Sequence, residues 1–226
     1  MEMEWRKSLH GSYSGKSCFA SRVVCGDCGA FYGSKVWHST DAYRRIIWRC
    51  NGKYTGEKKC STPYVTQEEL EKAFVSVMQR VIREKDAIIA ACREKLLELD
   101  TVELDAEVAR LENEASSVAE RLRRLVAENA RERKDQVEYQ REYDALATEY
   151  DRINAQIQAM EDRNRDKGKR RRKLEIFLSL LKKVEVCEAI EPYTFATMVE
   201  KVVVGSDGRL RFCFLNGMQY EYPLKK

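Results

Sequence analysis

The sequence predicts an α+β chain. A four-cysteine β-ribbon and a small set of C-terminal antiparallel strands flank a long antiparallel coiled-coil hairpin inserted between them. Three observations carry that expectation. Cys25, Cys28, Cys50 and Cys60 fall at metal-ligand spacing. Two stretches of apolar residues repeat at heptad spacing and match each other in reverse order. The C-terminal residues alternate apolar and polar around two turn signals.

Composition bounds the rest. Of 226 residues, 35% are charged, which suits long exposed helices better than one large core. Residues 1–65 carry 11 Lys/Arg against 5 Asp/Glu, 66–165 carry 17 against 24, and 166–226 carry 13 against 8. Two basic ends therefore flank an acidic middle. Basic ends can meet phosphate, whereas the middle would be repelled by it. No segment approaches the ~18 consecutive apolar residues of a membrane span. Met1–Lys16 is polar and lacks a signal-peptide core. The expectation is a cytoplasmic protein without a membrane partner. Cysteines stay reduced there, so a close set of them points to metal rather than to disulfides.

Five segments follow: a lead-in over 1–20, the ribbon over 21–65, a packing helix over 66–100, the arm over 101–167, and over 168–226 a helix and β-hairpin completing the ribbon domain. Met1–Leu9 reads as the end of a helix, which Gly11, Ser12, Ser14 and Gly15 break.

The ribbon is read from its thiols. Cys25-Gly-Asp-Cys28 is a C-x2-C knuckle, and Gly26 and Gly29 let the backbone fold tightly around it. Cys50 and Cys60 form a looser second pair. Between the pairs, Phe31–His38 and Tyr43–Arg49 are rich in β-formers and are joined by Ser39-Thr40-Asp41. Four soft ligands suit tetrahedral zinc, and a complete thiolate shell leaves no open position for water. The expected cofactor is a structural Zn2+ and the fold is a zinc ribbon. The bland alternative is four reduced core cysteines. His38 sits mid-hairpin and reads as exposed rather than as a ligand. Cys18, Cys92, Cys187 and Cys213 lack partners at ligand spacing and read as ordinary thiols.

Thr66–Glu98 reads as one helix. Thr66 and Glu69 form a capping box, and Leu70, Phe74, Val77, Val81 and Ile88 make a core stripe. Asp100-Thr101 marks a joint. In the arm, Leu104, Val108, Leu111, Ala115, Val118, Leu122 and Leu125 form one a/d seam, and Tyr139, Tyr143, Leu146, Tyr150, Ile153, Ile157 and Met160 form another. A fold-back near Glu132 brings every layer into register, with small Ala115 opposite large Tyr150. The competing arrangement pairs each helix with another chain. At the tip, Asn129 stops one helix and Asp135 caps the next. Each arm helix spans about 25 residues, or ~35–40 Å. Leu174, Phe177, Leu178 and Leu181 give a second core stripe. Residues 193–224 then read as strand. Lys201–Val204, Leu210–Leu215 and Gln219–Tyr222 are separated by Ser206-Asp-Gly208 and Asn216-Gly217. Their apolar face, Val202, Val204, Leu210, Phe212, Phe214, Tyr220 and Tyr222, needs a helix or the ribbon to cover it.

Several motifs occur in a recognisable order: Tyr13-Ser-Gly-Lys16, Val23-Val-Cys-Gly-Asp-Cys-Gly29, Tyr43-Arg-Arg45, Ile47-Trp-Arg-Cys50 and Cys60-Ser-Thr-Pro63. A helix, a coiled coil and Val202-Val-Val-Gly-Ser-Asp-Gly-Arg-Leu-Arg-Phe212 follow. This order resembles the C-terminal region of the large serine recombinases, the serine integrases and related transposases, over nearly the whole chain. The resemblance implies a bacterial, phage or mobile-element origin. It also implies an N-terminal resolvase-like domain bearing the nucleophilic serine, then a recombinase domain, then this zinc-ribbon domain, which binds attachment-site DNA. The coiled coil would pair with other recombinase subunits through its tip, here Asn129, Arg131, Arg133 and Lys134. The two preceding domains are expected to be missing, so the chain itself is not expected to be an enzyme but a truncated product or an excised fragment.

Expected contacts to double-stranded DNA are Lys35, Trp37, His38, Ser39, Tyr43, Arg44 and Arg45 on the ribbon. Lys169, Arg170 and Arg171 in the basic run Lys167–Lys173 are a second set. Arg pairs bidentately with guanine, while Lys, Ser and Tyr hold phosphates. The alternative is a zinc-stabilised coiled-coil interaction module that binds no DNA. An enzyme reading finds little support: there is no Ser/His/Asp grouping or phosphate loop, and His10 and His38 are the only histidines.

Overall fold

The computed structural model describes residues 17–38, 40, 42–54, 60–132 and 135–224. They fall into two units: residues 1–92 with 173–226, and residues 93–172. The expected helix end at Met1–Leu9 lies outside the described residues.

In the first unit, β1 (Val23–Cys25), β2 (Tyr32–Trp37), β3 (Arg45–Cys50), a 3-10 turn (Asn51–Tyr54) and β4 (Val65–Thr66) lead into helix α1 (Gln67–Arg83). Strands β2, β3 and β4 form one antiparallel sheet, with Lys35 opposite Ile47 and Trp37 opposite Arg45. Beyond the arm come α5 (Pro192–Met198), β5 (Val199–Val204), β6 (Arg209–Phe214) and β7 (Gln219–Pro223). These strands make a second sheet in the order β1-β5-β6-β7. The β1–β5 pairing is parallel, with Val23 opposite Val202 and Cys25 opposite Val204, so the knuckle strand is stapled to the far end of the chain.

Aromatic residues join the layers. Phe19 packs on Trp48 and Phe195, and Phe74 packs on Phe195 and Phe212, with centroids 4.8–6.4 Å apart. Each such ring buries about 1.5–3 kcal/mol of transfer free energy. Trp48 is buried, and its indole N–H donates to Gln67 Oε1 at 2.7 Å, fixing β3 to the start of α1. The expected sheet face is buried at Val202, Val204, Leu210, Phe212, Phe214 and Tyr220, while Tyr222 is only half-buried.

Two local readings change. The helix expected over Thr66–Glu98 starts with its capping box intact but breaks at Glu84, and α2 (Lys85–Glu98) follows. No Gly or Pro marks the break, and the main-chain bonds Glu84 N–H to Arg80 O and Ile88 N–H to Glu84 O continue through it; tertiary contacts gather there. Tyr220 donates its hydroxyl to Glu84 at 2.5 Å, and Lys85 Nζ reaches the Lys182 and Val184 carbonyls at 3.0 Å each. The carbonyl of Lys182 is one of those a helix end leaves without an intrahelical partner. The strand expected from residue 193 begins only at Val199. Pro192 preorganises a helix start, and Phe195 and Met198, three apart, bury one helical face.

The second unit contains α3 (Val102–Arg131) and most of α4 (Gln136–Lys183). Leu111, Ala115, Val118 and Leu125 from α3 bury against Leu146 and Ile153 from α4, with Leu122, Tyr139, Tyr150, Ile157 and Met160 packed around them. Cross-links at Asn129–Gln136, Arg121–Glu149 and Asp105–Asn164 run in opposite senses along the two helices, as an antiparallel hairpin requires. Tyr143 stays 38% exposed, its ring centroid 6.2 Å from that of Tyr139. Asn129 does not end α3, which continues to Arg131. Asp135 does cap α4, accepting from the Val137 and Glu138 amides at 2.8 and 3.3 Å. Gly168 lies inside α4. Among the described residues no helix is long and apolar enough to cross a membrane.

Candidate metal centre and nucleic-acid face

The knuckle forms where β1 leaves its parallel partner. The Gly26 amide donates to the Val204 carbonyl at 2.9 Å, and a Cβ on Gly26 would sit 3.0 Å from that same oxygen. The chain then reverses. The Cys25 amide donates to the Ala30 carbonyl, and the Gly29 amide to the Cys25 carbonyl, with Gly29 at φ +73°. That left-handed conformation is why glycine follows the second cysteine. Cys50 closes β3. Two residues on, a Cβ on Gly52 would come within 3.1 Å of Cys28 Sγ.

These turns bring the sulfurs of Cys25, Cys28, Cys50 and Cys60 within 4.8 Å of one another, with Cys25–Cys60 at 3.1 Å and Cys28–Cys50 at 3.4 Å. A tetrahedron with ~2.3 Å metal–sulfur bonds has edges of ~3.8 Å. The observed separations bracket that value, so the four thiols fit one metal ion. Their acidities point the same way. Burial raises Cys25, but the Thr62 hydroxyl, the Cys28 and Asp27 amides and Cys60 outweigh it and bring the thiol down to about 6. Burial and the hydrogen bond with Cys28 push Cys50 up, and burial foremost also raises Cys60. Without a cation, one thiolate is therefore favoured at the expense of its neighbours. A divalent ion lets all four ionise together.

Thr62 was not singled out in the sequence, although it lies two residues after Cys60. It is fully buried, with its hydroxyl 3.2 Å from Cys25 Sγ and 3.0 Å from Cys60 Sγ. Ser61 donates to Asp27 Oδ2 at 2.9 Å, tying the second cysteine loop to the knuckle. Of the other cysteines, Cys92, Cys187 and Cys213 are buried and Cys18 is half-buried, its thiol raised to about 11 by burial.

On the ribbon, strand alternation and register put Lys35 and Trp37 on the same sheet face as Arg45 and Arg49. Tyr64 joins them, its ring 4.9 Å from Trp37, and the Arg45 guanidinium lies 5.5 Å over the Trp37 ring. Arg49 and Tyr64 were missed in the sequence. The signal for Arg49 was its place four residues after Arg45 in one strand. At the hairpin end, Tyr43 and Arg44 are exposed, and His38 is exposed at φ +53°. Ser39 lies outside the described residues. Lys169, Arg170 and Arg171 belong to the helical unit, where Lys169 pairs with Asp166 at 3.5 Å and Arg171 reaches Asp100 at 4.0 Å. At the hairpin turn, Asn129 accepts from Gln136 at 3.3 Å and Arg131 is exposed. Arg133 and Lys134 lie outside the described residues.

A hairpin and two loops that converge four thiols on one point define the zinc-ribbon class. Residues 18–79 match the recombinase zinc beta ribbon domain. This similarity supports the resemblance of the segment to the C-terminal region of large serine recombinases. No curated protein matches the chain. A crystal structure of an LSR–DNA complex aligns at 15% identity and a TM-score of 0.35, over 94% of this chain and 59% of that chain. The chain thus spans less than two thirds of the length of that solved structure.

Proposed function

We propose that this chain is the DNA-binding and subunit-bridging part of a site-specific serine recombinase, with a structural Zn2+ held by Cys25, Cys28, Cys50 and Cys60. The metal would fix the ribbon and leave strand cleavage to other parts of the recombinase. The observation that carries the DNA reading is the ribbon face on which Lys35, Arg45 and Arg49 stand beside Trp37 and Tyr64. Cations set at intervals along one sheet face suit phosphate, and an aromatic neighbour orients the guanidinium. Tyr43, Arg44 and His38 would extend that surface at the hairpin end. The coiled coil would bridge subunits through its tip, where exposed Val126 lies three residues before Asn129 and exposed Val137 follows Gln136, the residue that donates to Asn129.

Anisotropy titrations of a labelled attachment-site duplex against salt test the DNA reading. Replacing Arg44 and Arg45 with Ala should weaken binding and lower the log–log salt slope by about 0.9 for each phosphate that the variant no longer neutralises. Unchanged affinity and slope would instead favour the interaction module that binds no DNA.

A further inference from the structure

We infer that Thr62 is a positioning residue of the metal centre: its buried hydroxyl is the hydrogen-bond donor that sets the charge on the Cys25–Cys60 edge. The inference rests on the zinc reading above. Four thiolates around a divalent cation carry a net negative charge, and burial makes that charge costly unless donors surround it. Backbone amides supply part of the need: those of Asp27 and Cys28 at Cys25, of Gly52 at Cys50 and of Thr62 itself at Cys60. Cys60 is in the harder position, because the Asp27 carboxylate approaches its sulfur to 4.0 Å. The Thr62 hydroxyl lies 3.0 Å from that sulfur and 3.2 Å from Cys25. Its one proton serves the Cys25–Cys60 edge as a whole, the contact to Cys60 being the shorter.

The hydroxyl is held for this role. Lys53 Nζ donates to the Thr62 carbonyl at 3.2 Å, bringing a positive charge toward the cluster. The following residue, Pro63, restricts the Thr62 backbone, and its carbonyl accepts the Tyr32 hydroxyl at 2.9 Å. Branching at Cβ limits the side chain to few rotamers. The Thr62 side chain also faces the Tyr32 hydroxyl, which itself donates to Pro63, and valine would fill the same volume without a donor.

Competition for zinc with a chromophoric chelator, using the full chain, tests this. Thr62→Val should bind zinc about 10–100-fold more weakly, the range found for lost outer-shell partners, while Thr62→Ser should match the unmodified protein. With cobalt(II) in place of zinc, removing the donor raises the energy of the thiolate electrons. Thr62→Val should therefore move the sulfur-to-cobalt charge-transfer band to longer wavelength, and Thr62→Ser should leave it in place. A silent Thr62→Val, whatever Thr62→Ser does, would mean that the hydroxyl plays no part at the metal, and would overturn the inference. If Thr62→Val does not fold, Thr62→Ser against Thr62→Ala decides. Serine matching threonine with alanine weakened supports the donor, and serine as weak as alanine overturns it. An unmodified chain that takes up no zinc would remove the metal reading and this inference with it.

Discussion

The ribbon unit and the helical unit solve the burial problem in opposite ways. The helical unit repeats one local device: a seam of Leu, Val, Ala, Ile and Tyr at heptad spacing, folded back on itself, with Leu111 and Ile153 among its buried layers. The ribbon unit depends on pairings between distant parts of the chain. Val23 lies beside Val202, Phe19 beside Phe195, and Phe74 beside Phe212. Local repetition survives removal of any one layer, whereas a small core assembled from distant pieces relies on whatever joins them. In the ribbon unit the four cysteines gather residues 25–60, and the parallel β1–β5 pair beside them joins that segment to the C-terminal strands.

The sharpest way to break that comparison is to take the metal away. Structural zinc contributes about 10–16 kcal/mol of apparent binding energy, comparable to or larger than the whole stability of most domains. Chelation, or Cys50→Ser, should collapse the near-ultraviolet circular dichroism of buried Trp48 while most far-ultraviolet helix signal persists. Acid should act in the same direction. Metal binding needs thiolates, and Cys50 and Cys60 are both held above the ordinary thiol range without it. Metal affinity therefore falls as pH falls, and the ribbon signal should be lost first. Equal loss of both signals on chelation would mean that the helical unit also depends on the metal.

Paired core truncations come next. Phe74 and Ile153 are both fully buried, one in each unit. Phe74→Ala should cost about 3–5 kcal/mol and Ile153→Ala about 2–5 kcal/mol. The informative result is where each loss appears in a thermal melt. Phe74→Ala should lower the transition followed by tryptophan fluorescence, and Ile153→Ala the one followed by helix signal. If either variant shifts both transitions equally, the two units do not melt independently.

This contrast also explains how much could be read beforehand. The hairpin was legible because a period of 3.5 residues is written locally, and two such seams in reverse order satisfy each other layer by layer when the chain folds back. The four thiols were legible because C-x2-C constrains chemistry and geometry together. The β6–β7 hairpin was signalled by Asn216-Gly217, and Gly217 takes φ +85°. The parallel β1–β5 pairing was not legible, since three residues, Val23–Cys25, carry no marker of the partner they join. Nor was the break at Glu84, where the contacts with Tyr220 and with carbonyls at the end of α4 come from far along the chain. Thr62 stayed hidden because a threonine near cysteines is common, and only its burial against two sulfurs gives it a role. Residues 193–198 resembled a strand by composition, and the helix was decided by Pro192 and by the need to bury Phe195.

The smallest effect tests the comparison most finely, because the same device occurs in both units. Thr66 caps α1 by accepting from the Glu69 amide at 3.2 Å, and Asp135 caps α4 by accepting from the Val137 amide at 2.8 Å. Replacing either with Ala should cost about 1 kcal/mol, since it leaves helix-end amides without their side-chain acceptor. The consequences should differ. Thr66 follows Val65, which is buried in the ribbon, so its replacement should reach the whole ribbon core and lower the fluorescence-detected transition. Asp135 sits at an exposed turn, so its replacement should fray only the first turn of α4. Amide exchange would then accelerate at Val137 and Glu138 while the layers around Ile153 keep their protection, and Asp135→Ser should restore slow exchange. Faster exchange as far along as Ile153 would show that the hairpin unzips from its turn, making its layers one cooperative block rather than a series of separable ones.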